Sequence, residues 1–457
     1  MRIQEGMTVK YTAWLQDVLI GIESEALRLN RDGTLASTSH PFDSASRYFT
    51  RDFAENQLEI VTDPCSGTSG AVIALDTLAG QARSTLAERN EILWPMSMPP
   101  RLPDDPEIPL AVFDDSQSGR RKHLYRRGLA LRFGKRRQMI CGIHINISMG
   151  KALLRSLVSN GGTTADALYL RAARHLYRRM DSLVLLTGRT PVAGEAFPFS
   201  PFNREPVISV RNSRGGYAAP LFAPFLDLSS LDHYVRRIRE GLHTALPEYR
   251  EKGLVKNGSL LQLSGNVFQS EKEFYAPIRL RQAADEEEPQ TRALEKRGIG
   301  YLEIRFVDRN PFEPGGVCQD TLRLIHLVFL EGLLGHPRRW SEESGDRCLA
   351  SAWETAEIRL TDLVEGRPEA KRQLDRARRA LESLRPLGET LDRVLGTHRY
   401  REMLARQRDL VDNPTRLKSV ELFRQLKESG LGWTDFGLSM TRTSPKEETR
   451  ELHYAGI

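Results

Sequence analysis

The sequence has few cysteines and no long apolar run. Its four cysteines lie far apart and form no C-x-x-C pair, which argues against a disulfide framework or a zinc–thiolate site. The most apolar stretch, LRLIHLVFLEGLL, is interrupted by Arg323, His326 and Glu331, so it is too polar to span a bilayer. No basic segment followed by an apolar one stands at the start, so we expect no signal peptide and a cytoplasmic protein.

Several familiar motifs are absent as well. There is no G-x-x-x-x-G-K-[ST] and no G-x-G-x-x-G, which excludes a P-loop and leaves a Rossmann or kinase-type glycine loop unsupported. H-E-x-x-H and G-x-S-x-G are missing too, which removes the commonest zincin and α/β-hydrolase signals. The net charge is +6 over 457 residues. This modest excess permits anionic ligands such as nucleotides without requiring nucleic acid.

The chain is long and apolar enough to fold around a substantial core, since 40% of its 457 residues are hydrophobic. Period-two alternation predicts strands near 18–29, 56–62, 138–148, 260–268 and 299–307. Helical periodicity dominates 70–90, 165–186, 230–245, 317–335 and nearly everything after 350. Because strands and helices do not alternate regularly as βαβ units, we predict an α+β fold with a largely antiparallel sheet.

Four of these predicted strands place polar residues on one face. Isoleucine and leucine occupy the opposite, apolar positions, as expected for a sheet that packs on helices. The polar face collects carboxylates, one histidine and one arginine: Glu23, Glu25, Glu59, His144, Glu303 and Arg305. A solvent-facing sheet is the ordinary explanation of such alternation. Repeated glutamate favours another, because carboxylates gathered on one surface repel one another unless cations lie between them.

Oxygen ligands with a single imidazole suit Mg²⁺ or Mn²⁺ better than zinc or copper. Ions held in this way typically neutralise the phosphates of a nucleoside triphosphate. We interpret Glu303 as a charge in the surface groove where such a ligand binds, so replacing it is expected to cost little stability.

A basic segment at 119–137 carries nine lysines and arginines and no acid. It is either a solvated helix face, an anion-steering surface or, as a third hypothesis, a nucleic-acid-binding surface.

Several long motifs then resemble one family, in the family's order from about residue 20 to 320. They are GIESEALRLNRDGTLA, DFAENQLEIVT, LWPMSMPP, LYRRGLALRFGKRRQMICGIHINIS, LLQLSGNVFQSEKEFYAPIR and RGIGYLEIRFVDRNPFEPGGV. The chain resembles the proteobacterial type of glutamate–cysteine ligase. This resemblance implies a funnel-like, glutamine-synthetase-like antiparallel sheet with surrounding helices. We expect residues 1–335 to form the catalytic core and 336–457 a helical region packed on it.

The resemblance also implies an activity. The γ-carboxylate of L-glutamate is phosphorylated by ATP and then attacked by the amine of L-cysteine, the first step of glutathione synthesis. The implied partners are therefore small molecules, with neither nucleic acid nor membrane, and the oligomeric state stays open. No strong general base is evident for the amine proton, for which an acidic residue or a phosphate oxygen could serve.

Roles for individual residues follow from the resemblance. The implied ligands of a Mg²⁺ (or Mn²⁺) cluster are Glu23, Glu25, Asp52, Glu59, Glu91, His144 and Glu303. Arg305 resembles the catalytic arginine that supports the transferring phosphoryl group. Arg211 matches a residue that grips a substrate carboxylate, as a planar guanidinium does with two hydrogen bonds. The implied walls of the cysteine pocket are Phe53, Tyr125, Leu129, Gln138, Tyr217 and Tyr275.

The sequence also departs from the family pattern. Ser24 stands between the two glutamates where members usually carry arginine, and the stretch from Gly188 to Gly216 is shorter and differently composed. Since that stretch frames the substrates, a different amine acceptor is the alternative to L-cysteine.

Overall fold

The computed structural model describes residues 14–216, 220–336 and 339–443. Strands in this part of the chain are Val18–Asn30 (β1), Phe49–Arg51 (β2), Gln57–Val61 (β3), Cys65–Ser66 (β4), Glu91–Leu93 (β5), Ile143–Met149 (β6), Val255–Lys256 (β7), Ser259–Leu260 (β8), Ile278–Arg281 (β9) and Tyr301–Val307 (β10). Eight of them form one sheet in the order β2-β3-β1-β6-β10-β9, with β4 and β5 also pairing with β1. Every ladder between these strands is antiparallel. The predicted α+β class is confirmed.

The two faces of the sheet differ as the alternation predicts. Ile20, Ile22, Ile145, Ile147 and Ile304 are at most 1% exposed and belong to the main apolar cluster. Burying an isoleucine side chain contributes about 1.5–3 kcal/mol, so this face anchors the sheet to the helices behind it. The opposite face is left for polar side chains.

Helices surround the sheet. Their bounds are Gly67–Glu88 (α1), Gln117–Phe133 (α2), Lys135–Gln138 (α3), Lys151–Gly161 (α4), Ala165–Thr187 (α5), Leu231–His243 (α6), Pro247–Glu251 (α7), Gln290–Arg297 (α8), Gln319–Leu334 (α9), Glu342–Ala356 (α10), Leu360–Val364 (α11), Pro368–Leu395 (α12), Arg399–Asp412 (α13), Lys418–Ser429 (α14) and Trp433–Thr443 (α15). Helix α5 contacts β9, β10, α9 and α10. Every residue of α9 from Thr321 onward is buried, as expected for a helix enclosed by others.

The last third of the described chain is helical. Helix α10 packs on α5, and α12 packs on α5, α9 and α13. The main apolar cluster includes Leu330 and Leu333 on one side of residue 335 and Leu349 and Leu384 on the other. The division of the chain at that residue therefore stays a prediction. No helix among the described residues combines the length and apolarity needed to cross a membrane.

Two strand predictions need correction. Beyond Leu260, the stretch 260–268 contains no strand, because its backbone bonds to side chains and to scattered backbone groups of residues 241–254, and no continuous strand runs beside it. Leu263 N–H donates to Gln269 Oε1 at 3.0 Å, and the Ser264 carbonyl accepts a hydrogen bond from Arg132. The strand predicted from residue 138 begins only at Ile143, after helix α3.

Candidate active site

Strand register brings the polar residues into one row across the sheet. Glu59 of β3 lies opposite Glu25 of β1, and Glu23 of β1 lies opposite His144 of β6. Asn146 of β6 in turn lies opposite Glu303 of β10. The period of two places all of these side chains on the same face. Antiparallel pairing thus joins residues that are as much as 280 positions apart in the chain.

Side-chain contacts tighten this row. His144 Nδ1 lies 3.0 Å from Glu23 Oε2, and His144 Nε2 lies 3.5 Å from Glu25 Oε1. Asn146 Nδ2 donates to the other oxygen of Glu23 at 2.9 Å. Glu25 Oε2 accepts a hydrogen bond from the backbone N–H of Gly142 at 2.9 Å. The imidazole therefore lies between two carboxylates whose orientations are held by neighbouring donors.

The carboxylates differ in their electrostatics. Burial raises the pKa of Glu25. Burial also raises the pKa of Glu59 well above its usual value, and the charges of Glu23 and Asp52 act in the same direction. Asp52 thus joins the cluster through its position next to Glu25 and Glu59. Negative charges held this closely in a poorly solvated place favour a proton or a cation between them.

Glu303 has the opposite surroundings. Burial opposes its ionisation, but Arg305, Arg281 and Arg279 outweigh that effect and hold its pKa far below the usual range. Arg281 Nε lies 3.3 Å from Glu303 Oε2, and Arg305 donates to Glu303 Oε1. Glu303 is only 3% exposed. The expectation of a charge in an open surface groove is therefore wrong, because three guanidinium groups enclose this carboxylate.

The donor set fits a divalent cation. One ligand atom each of Glu23, Glu59 and His144 lie within 4.8 Å of one another. Glu303 Oε2 is buried and accepts no hydrogen bond in the described part of the structure. Carboxylate oxygens with one imidazole suit a hard cation. Glu23, Glu59 and His144 therefore have the geometry that could hold such an ion, with Glu25 and Asp52 beside them.

Glu91 lies apart from this cluster. It pairs with Asn30 at the far end of β1, five residues beyond Glu25, or about 16 Å along the strand. Its carboxylate forms an ion pair with the fully buried Arg28 at 2.8 Å and accepts a hydrogen bond from Thr38. The structure therefore does not bring Glu91 to the other predicted ligands. Its charge instead compensates a buried guanidinium.

A cavity opens beside Arg305. Its walls include the predicted residues Arg211, Tyr275 and Arg305, and the apolar side chains of Met180, Val184, Phe222, Phe306 and Trp353. Arg305 Nη1 also lies 3.3 Å from His144 Nδ1. The arginine thus connects the carboxylate row to the cavity. The side chains of Arg211 and Arg305 thus place two guanidinium groups in the wall of this cavity.

Most of the other predicted pocket residues gather in a second apolar cluster beside the row. Phe53 and Leu129 are buried in it, and Tyr125 and Tyr275 pack against it. Tyr125 and Tyr275 are hydrogen-bonded to each other, and burial raises the pKa of Tyr275 well above its usual value. Gln138 is buried at the end of α3. Tyr217 lies outside the described residues.

Two arginines near the row were not predicted from the sequence. Arg279 and Arg281 lie on β9, whose Arg279 pairs in register with Glu303. The alternation in IRLR at 278–281 is the signal that would have found them, but four residues are too few to distinguish a strand from a loop by periodicity alone.

The basic segment at 119–137 forms helices α2 and α3. Several of its cations bond to the protein itself. Arg132 forms a buried ion pair with Glu273 at 2.9 Å, Arg136 pairs with Asp104 at 2.9 Å, and Lys122 pairs with Glu286. Arg126 donates to the carbonyl of Asp52 at 2.5 Å. These contacts favour a structural role for the segment over a nucleic-acid-binding surface.

Known proteins resemble this chain over most of its length. Residues 7–354 match the family model described as glutamate-cysteine ligase. The glutamate–cysteine ligase of Leptospira interrogans is 33% identical over 454 residues, which cover 93% of this chain and 86% of that protein. Its counterpart in Clostridium acetobutylicum is 30% identical over 465 residues, covering 93% and 95%.

Solved structures confirm the fold. The glutamate–cysteine ligase of Francisella tularensis in complex with AMP superposes with a TM-score of 0.81 at 24% identity, covering 93% of this chain and 88% of that one. A bifunctional glutathione synthetase from Pasteurella multocida gives a TM-score of 0.70 at 24% identity, covering 96% and 53%. The class of protein that these matches define is a ligase. This chain belongs to the glutamate–cysteine ligase family.

Proposed function

We propose that this chain uses ATP to join the γ-carboxylate of L-glutamate to the amine of L-cysteine through a γ-glutamyl phosphate. One observation carries the proposal: a row of carboxylates with His144 is linked through Arg305 to a cavity that Arg305 and Arg211 line. A carboxylate is a poor electrophile, and phosphorylation turns one of its oxygens into a leaving group. The reaction must therefore bring two anions, ATP and glutamate, together.

Different residues of the chain would serve different parts of this reaction. Glu23, Glu25, Glu59 and His144, with Asp52 beside them, would hold Mg²⁺ or Mn²⁺, which neutralises the phosphates of ATP when bound. Arg305 would stabilise the transferring phosphoryl group from the same strand face. Arg211 would bind the carboxylate of the acceptor.

The walls of the cavity would keep water from the acyl phosphate until the amine arrives. Phe222, Phe306 and Trp353 supply apolar surface there. Excluding water protects a reactive intermediate and strengthens the electrostatic interactions inside the site. The cytoplasmic location expected from the sequence stays a prediction.

ADP release is the test of this function. With Mg²⁺, ATP and glutamate present, we expect L-cysteine to stimulate ADP release strongly, with a γ-glutamyl dipeptide seen by mass spectrometry. A panel of other amines serves as the comparison. Stimulation by another amine alone would assign a different acceptor. No stimulation by any amine, with nucleotide and metal still bound, would contradict the proposal.

Binding of Mg²⁺ is expected to strengthen as the pH rises. The raised pKa of Glu59 means that a proton competes with the cation, so binding should release protons. Titration calorimetry in buffers of different ionisation enthalpy measures that release. Glu59→Gln, whose amide has no proton to give up, should release fewer protons than the wild type and bind the cation at least about 10-fold more weakly. An affinity that does not rise as the pH increases above the ordinary glutamate range would be evidence against this cluster.

The raised pKa of Glu59 also predicts how the stability of the metal-free protein depends on pH. Since the folded state binds the Glu59 proton more tightly than the unfolded state, the free energy of unfolding should fall as pH rises from the usual glutamate pKa through the raised one. Thermal denaturation of the metal-free protein measures this. The difference between the wild type and Glu59→Gln isolates this contribution, and a difference of the opposite sign would contradict the assignment.

A further inference from the structure

A buried carboxylate directly follows the strand that carries Glu303 and Arg305. Asp308 is 1% exposed. Its Oδ2 accepts hydrogen bonds from the backbone N–H of Arg189 at 2.8 Å and from the hydroxyls of Thr190 at 2.9 Å and Ser209 at 2.8 Å. Its Oδ1 accepts from Asn212 Nδ2 at 3.1 Å. One side chain at the end of β10 thus gathers four donors from the segment 189–212.

These donors hold the two ends of that segment together. The hydroxyls of Thr190 and Ser209 are 3.0 Å apart, and Val210 N–H donates to the carbonyl of Thr190 at 2.7 Å. The backbone N–H of Arg211 donates to Thr190 Oγ1 at 3.2 Å. Asp308 therefore fixes the backbone on which Arg211 stands.

The side chain of Arg211 is fixed against the same strand. Nη2 donates to the carbonyl of Arg305 at 2.8 Å and Nη1 to that of Val307 at 3.3 Å, and Nη1 lies 3.8 Å from Asp308 Oδ1. Arg211 is 6% exposed, and its Nε has no hydrogen-bond partner in the described part of the structure. Arg211, Asn212 and Ser213 line the cavity together with Arg305. The guanidinium is thus held beside the catalytic arginine with an N–H group still unused.

We propose that Asp308 is a positioning residue for the acceptor: it sets the position of Arg211 relative to Arg305. This inference rests on the proposed function, in which Arg211 binds the carboxylate of the acceptor amine. Asp308 does not touch the substrate. It acts through the segment 189–212, the region where this sequence departs from its family. Because small displacements of a positioning group reduce catalysis strongly, Asp308 governs use of the acceptor and leaves the nucleotide end of the site unchanged.

Asp308→Asn tests the proposal. Asparagine keeps the shape of the side chain but turns one acceptor oxygen into an N–H₂ group. In either orientation that group faces donors, since Arg189, Thr190 and Ser209 surround Oδ2 and Asn212 faces Oδ1. We expect the KM for L-cysteine to rise at least about 10-fold while the KM for ATP changes by less than about 3-fold. Equal increases in both values, or a change in melting temperature alone, would overturn the proposal.

Asp392→Asn is the matched control. Asp392 is 3% exposed, close to the 1% of Asp308, and accepts hydrogen bonds from the backbone N–H groups of Tyr400 and Arg401 and from the Thr397 hydroxyl. It lies near the C-terminal end of α12, bonds to the start of α13 and does not line the cavity. We expect this variant to lower the melting temperature and leave both KM values near those of the wild type. A selective rise in the KM for L-cysteine in this variant would overturn the proposal as well.

Two further measurements distinguish failure of this inference from misfolding of the variant and from failure of the proposed function. Thr190→Val removes one hydroxyl from Asp308 and should raise the KM for L-cysteine in the same direction if Asp308→Asn does not fold; an unchanged value would overturn the inference. A wild-type protein that makes no product with L-cysteine would contradict the proposed function. In that case the crystal structure of Asp308→Asn still tests the inference. We expect a displaced Arg211 guanidinium, and an unmoved one would overturn the inference.

Discussion

Replacing Glu303 with glutamine is expected to reduce turnover by about 100- to 1,000-fold. Glutamine keeps the size of the side chain and removes its charge. The three guanidinium groups of Arg305, Arg281 and Arg279 then face one another without the carboxylate that holds them together. Arg305 is expected to move away from the phosphoryl group that it is proposed to stabilise.

The same substitution is expected to lower stability. Removing one partner of a buried ion pair typically costs about 3–5 kcal/mol, and Glu303 is almost fully buried. The two effects are separated by measuring ADP release well below the melting temperature, with the melting temperature recorded in parallel. Near-normal turnover in Glu303→Gln would show that this strand does not serve the reaction.

Glu331→Gln is the matched control for this experiment. Glu331 is fully buried in α9 and bonds to His175 at 2.6 Å and to Arg179 at 3.0 Å. Like Glu303, it is a buried carboxylate paired with basic side chains, but it faces α5 from α9, among the helices. We expect a comparable fall in melting temperature with turnover retained. If both variants lose activity equally, the loss in Glu303→Gln comes from the fold and not from the site.

Replacing Gly142 with alanine is expected to raise the KM for L-cysteine at least about 10-fold and to lower kcat. A Cβ atom at this position would lie 1.9 Å from Arg211 Nη2, which no pair of atoms tolerates. Either the guanidinium leaves its place, or the backbone of residue 142 moves. The second route disturbs Glu25, because Gly142 N–H donates to its carboxylate and Glu25 N–H donates to the Gly142 carbonyl at 3.1 Å.

Gly21→Ala provides the comparison for this substitution. Gly21 is a glycine of the neighbouring strand β1, and a Cβ there would meet nothing closer than Asn146 Cβ at 3.7 Å, an ordinary contact. We expect this variant to keep most of the activity. Steady-state kinetics with L-cysteine and ATP varied in turn measures both. If Gly142→Ala behaves like Gly21→Ala, the space beside residue 142 is not needed for Arg211.

The sequence by itself determined the alternating strands and the polar row. Glu23, Glu25, Glu59, His144 and Glu303 were predicted to share a face, and the structure places them there. The reason is physical: in a strand the direction of a side chain is set by the parity of its position, which is a local property. The helices were predictable from their own local periodicity, and the antiparallel sheet from the lack of regular βαβ alternation.

Only the tertiary structure decided which charged groups meet. Glu91 was predicted as a metal ligand but pairs with Arg28, and Glu303 was predicted in an open groove but lies among three arginines. The stretch 260–268 alternates like a strand, but beyond Leu260 no continuous strand runs beside it. Asp308 gathers donors from 96 to 119 positions away. Such contacts depend on how distant segments pack, and the pattern of residues within one segment carries no information about its partner.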